Sequence, residues 1–358
     1  MSDYTISTIY ASDTRSRKQI DTLLNEEGIR RDKNLDYTCA MFDENMQIIA
    51  TGSCFGNTLR CMAVSSAHQG EGLMNEIVTH LITVQFERGN THLFLYTKCS
   101  SARFFGSLGF YEIARIDEQI VFMENRRTGF KDYLTALQKS VPEEKTSELS
   151  SKKESRIAAL VMNANPFTLG HQYLVEKASR ENDIVHLFIV SEDTSLIPFA
   201  VRKKLVTEGT AHLDNIILHD SGPYIISNAT FPSYFQKDET AVMESHAMLD
   251  LTIFTRIADV LHISRRYVGE EPYSVVTGIY NQIMKDKLPE AGIDCIVIPR
   301  KEIADTPISA STVRTAIKTD NIALLKTLVP ETTFRYFQSP EALSVIEKIK
   351  QAENVIHH

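Results

Sequence analysis

The segment from residue 157 to residue 178 constrains the fold more than any other part of the chain. Its first six residues, Ile157 to Met162, are all apolar, which is typical of a strand buried on both faces, and a polar turn follows them. Apolar residues then recur at helical spacing, at Tyr173, Leu174, Val175 and Ala178. A strand that runs through a short turn into a helix is the building unit of parallel α/β sheets. The sequence therefore predicts a parallel sheet with this strand near its centre.

The turn carries the residues of a phosphate site. A helix that begins at the carboxyl end of a central strand directs unpaired N–H groups and a positive dipole at a bound anion. Gly170 allows an anion to approach the main chain closely, and Thr168 and His171 project to the same side of the first helical turn. A hydroxyl and an imidazole placed there can both reach phosphate oxygens. The turn residues predicted to bind a nucleotide are Asn163, Asn165, Pro166, Phe167 and Gly170.

The length of the chain favours two domains. At 358 residues, the chain is longer than one hydrophobic core usually supports. We place a linker at residues 140–155, where only two large apolar side chains occur. Residues 1–139, here called the front domain, are predicted to be α+β. Residues 156–358 are predicted to form a doubly wound parallel sheet with C-terminal helices.

The strands and helices behind this prediction follow from apolar periodicity. In the front domain the predicted strands are residues 37–42, 46–54, 59–64, 92–96 and 119–123, and the predicted helices are residues 72–87 and 101–108. In the second domain the predicted strands are residues 157–162, 184–190, 215–218, 266–268 and 293–298, with helical segments between most of them. The predicted C-terminal helices are residues 311–318, 321–328 and 341–351.

Composition excludes several classes of protein. A net charge of −8 argues against extended nucleic-acid binding, which needs a clustered basic surface. No apolar run approaches the roughly 20 residues of a membrane helix, and the polar start of the chain is unlike a signal peptide, so we expect a cytoplasmic protein that binds no membrane. The five cysteines form no CxxC pair and no zinc-binding pattern. We therefore predict no structural metal ligands.

A second candidate phosphate site lies at Ile308 to Arg314, where hydroxyl side chains and an arginine begin a helix. By itself this pattern is explained by N-capping. Its co-occurrence with the Asn-Pro-x-Thr-x-Gly-His turn resembles the nucleotidyltransferase superfamily, whose HxGH and ISSTxxR signatures bind ATP phosphates from two helix N-termini. The resemblance implies catalytic roles for His171, Thr168 and Arg314, and nucleotide-binding roles for Ser309, Ser311 and Thr312. Because Thr168 stands where many members have a histidine, we expect His171 and Arg314 to carry more of the phosphate stabilisation.

The same resemblance implies attack on the α-phosphate of ATP with release of pyrophosphate, usually with Mg²⁺ bridging phosphate oxygens. Lys203, with Arg202 beside it, is predicted to reach the triphosphate, although a solvated basic face explains these residues equally well. Gly269 and Glu271 follow a predicted strand at the edge where open α/β sheets bind ligands. We predict that they contact the nucleoside, with a capped turn as the alternative.

A closer resemblance spans the whole chain. The segments 221–235 and 269–277, together with the front domain, resemble the citrate lyase ligase family. The resemblance implies an AMP-forming acid–thiol ligase, in which acetate attacks ATP to give acetyl-adenylate. The acetyl group then passes to the thiol of a CoA-like prosthetic group on the acyl-carrier subunit of citrate lyase. A hydroxyl-rich stretch is either a carboxylate pocket or a polar loop with anchoring aromatics, and comprises Tyr224, Ser227, Asn228, Thr230, Ser233 and Tyr234.

The front domain carries a turn of its own, between a strand and a helix. Gln69, Gly70 and Gly72 resemble the acyl-CoA-binding turn of GNAT-type N-acetyltransferases, and successive N–H groups there suit a pyrophosphate. Met74 replaces a small residue of that turn, and Phe105 occupies the position where a tyrosine often serves as general acid. We therefore predict that this domain binds the CoA-like arm, with a GNAT fold that has lost ligand binding as the alternative.

Two other functions stay open at this point. One is a nucleotidyltransferase that joins AMP to a phosphorylated cofactor precursor. The other is a GNAT acetyltransferase with a regulatory nucleotide-binding domain. Acetate-dependent exchange between ATP and pyrophosphate favours the ligase. A stable adenylylated product favours the nucleotidyltransferase, and consumption of acetyl-CoA without ATP favours the acetyltransferase.

Overall fold

The computed structural model describes residues 4–32, 34–145, 155–191, 195–225, 231, 239–270, 275–303, 306–353 and 355. The chain forms two compact units. The first unit comprises Met1–Asp132 and Thr230–Thr252, and the second comprises Tyr133–Ala229 and Ile253–His358. Most of the predicted linker, residues 146–154, lies outside the described residues, so the predicted domain boundaries stay a prediction.

The first unit contains a seven-stranded mixed sheet. Its strands are β1 Ile6–Thr8, β2 Tyr37–Phe42, β3 Ile48–Phe55, β4 Thr58–Val64, β5 Phe94–Thr97, β6 Tyr111–Ile116 and β7 Ile120–Glu124. The sheet order is β1-β2-β3-β4-β5-β7-β6, and the neighbours are antiparallel except for the parallel pair β4 and β5. The helices of this unit are α1 Thr14–Glu26, α2 Leu73–Glu87 and α3 Ala102–Ser107.

Helix α2 packs closely against strand β3. A Cβ atom at Gly52 would lie 2.5 Å from the Ile77 side chain and 2.9 Å from that of Leu81, so only glycine allows this approach. Ile77 and Leu81 are both fully buried, one helical turn apart on the apolar face of α2. This contact places the start of α2 directly after the turn that follows β4.

The second unit contains a five-stranded sheet in which every neighbouring pair is parallel. Its strands are β8 Ile157–Met162, β9 Ile184–Ile189, β10 Ile216–Asp220, β11 Arg265–Gly269 and β12 Asp294–Ile298, in the order β10-β9-β8-β11-β12. The principal helices are α5 Leu169–Glu181, α6 Phe199–Thr210, α8 Val275–Lys287, α9 Ala310–Lys318, α10 Ile322–Leu328, α11 Glu331–Phe337 and α12 Leu343–Gln351. Two of the three unit boundaries fall within two further helices, α4 Gly129–Lys139 and α7 Glu239–Leu261.

The strand order positions the candidate site. From β8 the chain continues to β9 and β10 on one side, whereas β11 and β12 lie on the other side. The crevice beyond the carboxyl ends of β8 and β11 is therefore the switch point at which open α/β sheets bind ligands. A short hairpin, β13 Glu302–Ile303 with β14 Thr306–Pro307, connects β12 to α9.

The predicted mixed α/β fold class is confirmed, and all ten predicted strands are present with ends within a few residues. The sequence missed the edge strand β6, whose residues are half exposed and lack apolar alternation, and the short strand β1. The last helix begins later than predicted, because a 3₁₀ turn, Pro340–Ala342, precedes α12. Among the described residues, no helix is both long and apolar enough to cross a membrane.

Candidate functional site

The turn between β8 and α5 is closed by a reciprocal cap. Thr168, 1% exposed, is the N-cap of α5, and its hydroxyl accepts from the main-chain N–H of His171 at 3.2 Å. In return, the Thr168 N–H donates to Nδ1 of His171 at 3.1 Å. The side chain of each residue therefore accepts from the main-chain N–H of the other, which is the geometry of a capping box. The structure brings these two predicted catalytic residues together, with Thr168 holding the imidazole in place.

This cap determines the tautomer of His171. Because Nδ1 accepts a main-chain N–H, the single proton of the neutral ring lies on Nε2. Burial, together with the positive charge of Arg300, lowers the pKa of His171 to about 4. At neutral pH the ring is an uncharged N–H donor in the first turn of a helix. It can donate to a phosphate oxygen, but it supplies no positive charge.

Two buried arginines hold the main chain of the turn. Arg202, fully buried on α6, donates through Nη1 to the carbonyl of Asn163 at 2.8 Å. Arg314, 2% exposed on α9, donates through Nη1 to the carbonyl of Asn165 at 2.5 Å. Between these carbonyls, Ala164 has a φ of 50°, a left-handed conformation that costs energy for a residue with a side chain. The arginines therefore stabilise a strained turn from two different helices.

The two predicted phosphate motifs meet at their helix starts. A Cβ atom on Gly170 would lie 3.3 Å from the carbonyl oxygen of Ile308, so the first turn of α5 contacts the residue that precedes the cap of α9. Ser309 caps α9 by accepting from the Thr312 N–H at 3.1 Å. Its hydroxyl is also 2.8 Å from the hydroxyls of both Ser311 and Thr312. Two helix N-termini and a cluster of hydroxyls thus converge beside His171, an arrangement that suits a polyanion.

The remaining residues of the first turn differ in exposure, with Asn163 at the open side of the site, here called its mouth, and the others buried. Asn163 is exposed, and its amide nitrogen donates to the Ser195 hydroxyl at 3.1 Å. Asn165 is buried and accepts from the N–H of Ile197 through Oδ1 at 3.2 Å. Pro166 is buried as well. Phe167 is fully buried against Gly209, where a Cβ atom would come within 2.4 Å of the ring, so Phe167 packs into the core.

Other predicted nucleotide contacts lie farther along the sheet edge. Lys203, half exposed on α6, pairs with the carboxylate of Asp220 at 2.8 Å. Gly269 ends β11 next to the switch point, and its carbonyl accepts from the Asn281 amide at 3.1 Å. Glu271 lies outside the described residues.

The hydroxyl-rich stretch is described only in part. Ser227, Asn228, Thr230, Ser233 and Tyr234 lie outside the described residues. Tyr224 is buried, with its ring 4.8 Å from that of Tyr133. Tyr224 therefore packs against helix α4, and the carboxylate pocket stays a prediction.

Sequence reasoning missed two features of this site. The burial of Arg202 has a signal in the sequence, because the buried positions 202, 205, 206 and 209 follow the spacing of one helix face. Arg300 was not singled out, although it follows the end of β12 by two residues. Its Nε donates to the carbonyl of Glu270 at 2.9 Å. The sequence did contain a signal for Arg300, because a basic residue just after the carboxyl end of a parallel strand lies at the edge where ligands bind.

The described part of the chain contains no preformed set of side-chain ligands for a metal ion. No group of three or more His, Cys, Asp or Glu side chains there lies close enough together to hold one. Mg²⁺ that accompanies a nucleotide commonly takes its ligands from phosphates, water and one or two carboxylates.

The first unit has a cavity of about 570 Å³. Strands β4 and β5 pair only at Thr58 with Phe94 and at Leu59 with Leu95, and later residues of both strands line the cavity. The turn predicted to bind a CoA-like arm lies at its edge, since Gln69, Gly70 and Gly72 all line it. The structure therefore brings these three residues to one cavity.

The turn and the cavity wall have well-defined supports. Gly70 has a φ of 95° and Gly72 a φ of 84°, conformations that favour glycine. The Gln69 amide donates to the carboxylate of Glu27 at 3.2 Å. Met74 and Phe105 also line the cavity, so the position where GNAT enzymes often have a tyrosine hydroxyl carries a hydrocarbon ring.

Comparison with known proteins gives a match over nearly the whole chain. The family described as "Citrate lyase ligase C-terminal domain" matches residues 157–337. A citrate (pro-3S)-lyase ligase of Haemophilus influenzae is 38% identical over 325 residues, which cover 89% of this chain and 94% of the relative. A protein of the same name from Klebsiella pneumoniae is 36% identical over 332 residues, which cover 90% of this chain and 93% of the relative.

Two solved structures resemble parts of the chain more distantly. A putative nicotinate-nucleotide adenylyltransferase of Vibrio parahaemolyticus covers 56% of this chain and 98% of its own length, with 15% identity and a TM-score of 0.34. A putative acyl-CoA N-acyltransferase of Klebsiella pneumoniae covers 34% of this chain and 96% of its own length, with 18% identity and a TM-score of 0.29. At these scores, neither similarity bears on the activity of this chain.

Proposed function

Because this chain belongs to the citrate lyase ligase family, we propose that it acetylates the thiol of the CoA-like prosthetic group on the citrate lyase acyl-carrier subunit, from acetate and ATP. The product set is the acetylated carrier, AMP and pyrophosphate. The enzyme is then an AMP-forming acid–thiol ligase. Its expected location is the cytoplasm, which supplies ATP.

One observation carries the adenylation half of this proposal. At Gly170 the first turn of α5 contacts Ile308, the residue before the cap of α9, so two helix N-termini lie close together beside the switch point of the sheet. A triphosphate has several charged groups in a row and can use donors from both helices at once. This convergence supports ATP over a ligand with a single phosphate.

In the proposed first step, a carboxylate oxygen of acetate attacks the α-phosphorus of ATP. The bond from that phosphorus to the bridging oxygen of pyrophosphate breaks, and acetyl-adenylate forms. The neutral His171 donates its Nε2–H to a phosphate oxygen on which negative charge accumulates. Thr168 orients His171, and Arg314 maintains the turn through Asn165. Mg²⁺, brought by the nucleotide, would neutralise phosphate charge.

The second step transfers the acetyl group to the carrier. The sulfur of the prosthetic thiol attacks the acetyl carbonyl carbon, the bond from that carbon to the AMP oxygen breaks, and the thiol proton leaves to solvent. The cavity of the first unit, with Gln69, Gly70 and Gly72 at its edge, is proposed to hold the CoA-like arm. Because Phe105 has no hydroxyl, we assign this cavity a binding role without acid catalysis.

The experiment that tests the first step is exchange of labelled pyrophosphate into ATP, with Mg²⁺ and without any carrier protein. Exchange that depends on acetate supports formation of acetyl-adenylate. If a phosphorylated cofactor precursor replaces acetate in this assay and yields a stable adenylylated product, the proposal is wrong and the chain is a nucleotidyltransferase. Consumption of acetyl-CoA without ATP would instead favour an acetyltransferase.

A further inference from the structure

The charge of the candidate site is the starting observation. A bound triphosphate carries several negative charges, yet Thr168 is uncharged and His171 is neutral, with burial as the main cause of its low pKa. Arg202 and Arg314 are buried and donate to main-chain carbonyls. Lys203 pairs with Asp220 on the surface. The contacts described for Arg202, Arg314 and Lys203 are thus with groups of the protein itself.

Arg300 is held at the edge of the sheet where this charge is needed. The N–H of Glu270, one residue beyond β11, donates to the carbonyl of Ile298 at 2.8 Å. The Arg300 Nε donates to the carbonyl of Glu270 at 2.9 Å. These bonds tie the guanidinium to the carboxyl ends of β11 and β12, next to the switch point.

The chain beyond Arg300 leads directly to the second phosphate motif. The carbonyl of Lys301 accepts from the N–H of Ile308 at 3.0 Å and closes the loop that contains the β13–β14 hairpin. The Ile308 carbonyl in turn contacts Gly170. The positive charge of Arg300 also reaches the imidazole of His171, where it disfavours protonation. Arg300 thus lies in the same region of the second unit as the starts of α5 and α9, and we call this region the corner.

We propose that Arg300 binds the phosphates of the nucleoside triphosphate and supplies the positive charge that Thr168 and His171 do not. A guanidinium remains charged at every physiological pH and matches the oxygens of a phosphate with planar N–H groups. Arg300 is then the cationic partner of the neutral donor His171. This assignment rests on the proposed function, because it assumes that ATP is the ligand.

The test compares ATP with adenosine, since only ATP has phosphates. Binding of each to the full-length protein is measured by calorimetry for the wild type, for Arg300→Gln, and for the matched control Arg265→Gln. Arg265 lies at the opposite end of β11, with Nε 3.9 Å from the Asp294 carboxylate. We expect Arg300→Gln to weaken ATP binding by about tenfold or more and to leave adenosine binding unchanged. The control should change neither.

Two outcomes would overturn the assignment. One is an ATP dissociation constant for Arg300→Gln within about twofold of the wild type, which is too small for loss of a charged phosphate contact. The other is an equal loss of ATP and adenosine binding, which would mean that Arg300 only supports the fold. As an independent measurement, NMR titration should show a higher His171 pKa in Arg300→Gln, because a nearby positive charge is removed.

Failure of the proposed function has a different signature. If the wild type binds ATP but shows no acetate-dependent pyrophosphate exchange, the acetate chemistry is wrong. Loss of ATP binding in Arg300→Gln would still establish Arg300 as a phosphate ligand in that case. The two conclusions can therefore be separated with the same set of proteins.

Discussion

The guanidinium of Arg314 donates to the main-chain carbonyl of Asn165 at 2.5 Å, across 149 positions of sequence. This bond joins the two phosphate motifs through the backbone rather than through a ligand. A second arginine, Arg202, holds the carbonyl of Asn163 at 2.8 Å in the same way. The strained turn at Ala164 is thus supported from both sides before any nucleotide binds.

We expect Arg314→Met to lower the free energy of unfolding by about 1–3 kcal/mol, because the buried carbonyl of Asn165 loses its donor. Acetate-dependent exchange should fall with it, since the turn loses its support. Chemical denaturation and the exchange assay measure these effects. Arg335→Met, which removes an exposed pair with Glu331, is the matched control and should change stability by less than about 0.5 kcal/mol. Exchange lost at unchanged stability would show instead that Arg314 acts on the nucleotide directly.

We expect His171→Ala to reduce acetate-dependent exchange by about a hundredfold or more, the scale for loss of one preorganised donor. His212→Ala removes an exposed histidine paired with Glu176 and should leave the rate unchanged. Because the pKa of His171 is lowered to about 4, the ring is already neutral at pH 6 and should remain so at pH 8. A near-normal rate in His171→Ala would remove the role assigned to this side chain.

We expect Gly72→Glu to spare pyrophosphate exchange and to impair acetyl transfer to the thiol, because only the second step needs the arm. Gly89→Glu is a close control. Its φ is 83° against 84° at Gly72, and it does not line the cavity. Among the described residues, apart from the chain neighbours, no atom lies within 4 Å of an added Cβ at either position. Both variants thus introduce comparable backbone strain, but only Gly72→Glu places a charge at the cavity. Equal losses in both assays would mean that the first unit is merely structural.

We expect Lys348→Met to lower exchange by about tenfold through positioning alone. The Lys348 ammonium donates to the carbonyl of Ser195 at 3.1 Å, and the Ser195 hydroxyl is the partner of Asn163 at the mouth of the site. Lys350→Met, on the same helix, removes a surface pair with Asp320 and is the control. Steady-state kinetics with ATP should distinguish the two variants, and indistinguishable rates would exclude a role for Lys348.

Stability should decline in mild acid. His186 and His219 are buried, with His186 Nδ1 2.8 Å from His219 Nε2, and burial lowers their pKa values to about 3 and about 4. An unfolded chain takes up these protons near the usual histidine pKa of 6.5, whereas the folded chain resists them. The free energy of unfolding is therefore fully retained above about pH 6.5 and falls as the pH drops towards 4.

The free energy of unfolding changes by at most about 1.4 kcal/mol per pH unit for each histidine. Denaturant unfolding at pH 7 and at pH 5 measures it. His219→Gln cannot titrate, so its stability should change less between these pH values than that of the wild type. An equal change in both proteins would place the acid sensitivity elsewhere.

Periodicity and local turn chemistry made much of this fold predictable. The strand at residues 157–162 was predicted to its end residues, because a run buried on both faces needs no distant information to be recognised. Thr168 was placed in the first turn of a helix because a helix that follows a central strand suits a phosphate, and Ser309 was placed at a helix start, where hydroxyl side chains cap the main chain. The co-occurrence of two such starts in one parallel sheet was enough to predict a nucleotide site at its edge.

The roles of individual side chains required the tertiary structure. Arg202 and Lys203 are neighbours in sequence, yet one is fully buried beneath the turn and the other lies on the surface. Phe167 sits inside the phosphate motif but packs against Gly209, and Arg300 joins the corner only because β11 and β12 lie side by side. Local pattern in the sequence was sufficient for the fold class, for the family and for the starts of α5 and α9. Which donors hold the main chain and which face a ligand depends on partners far away in sequence, and only packing decided it.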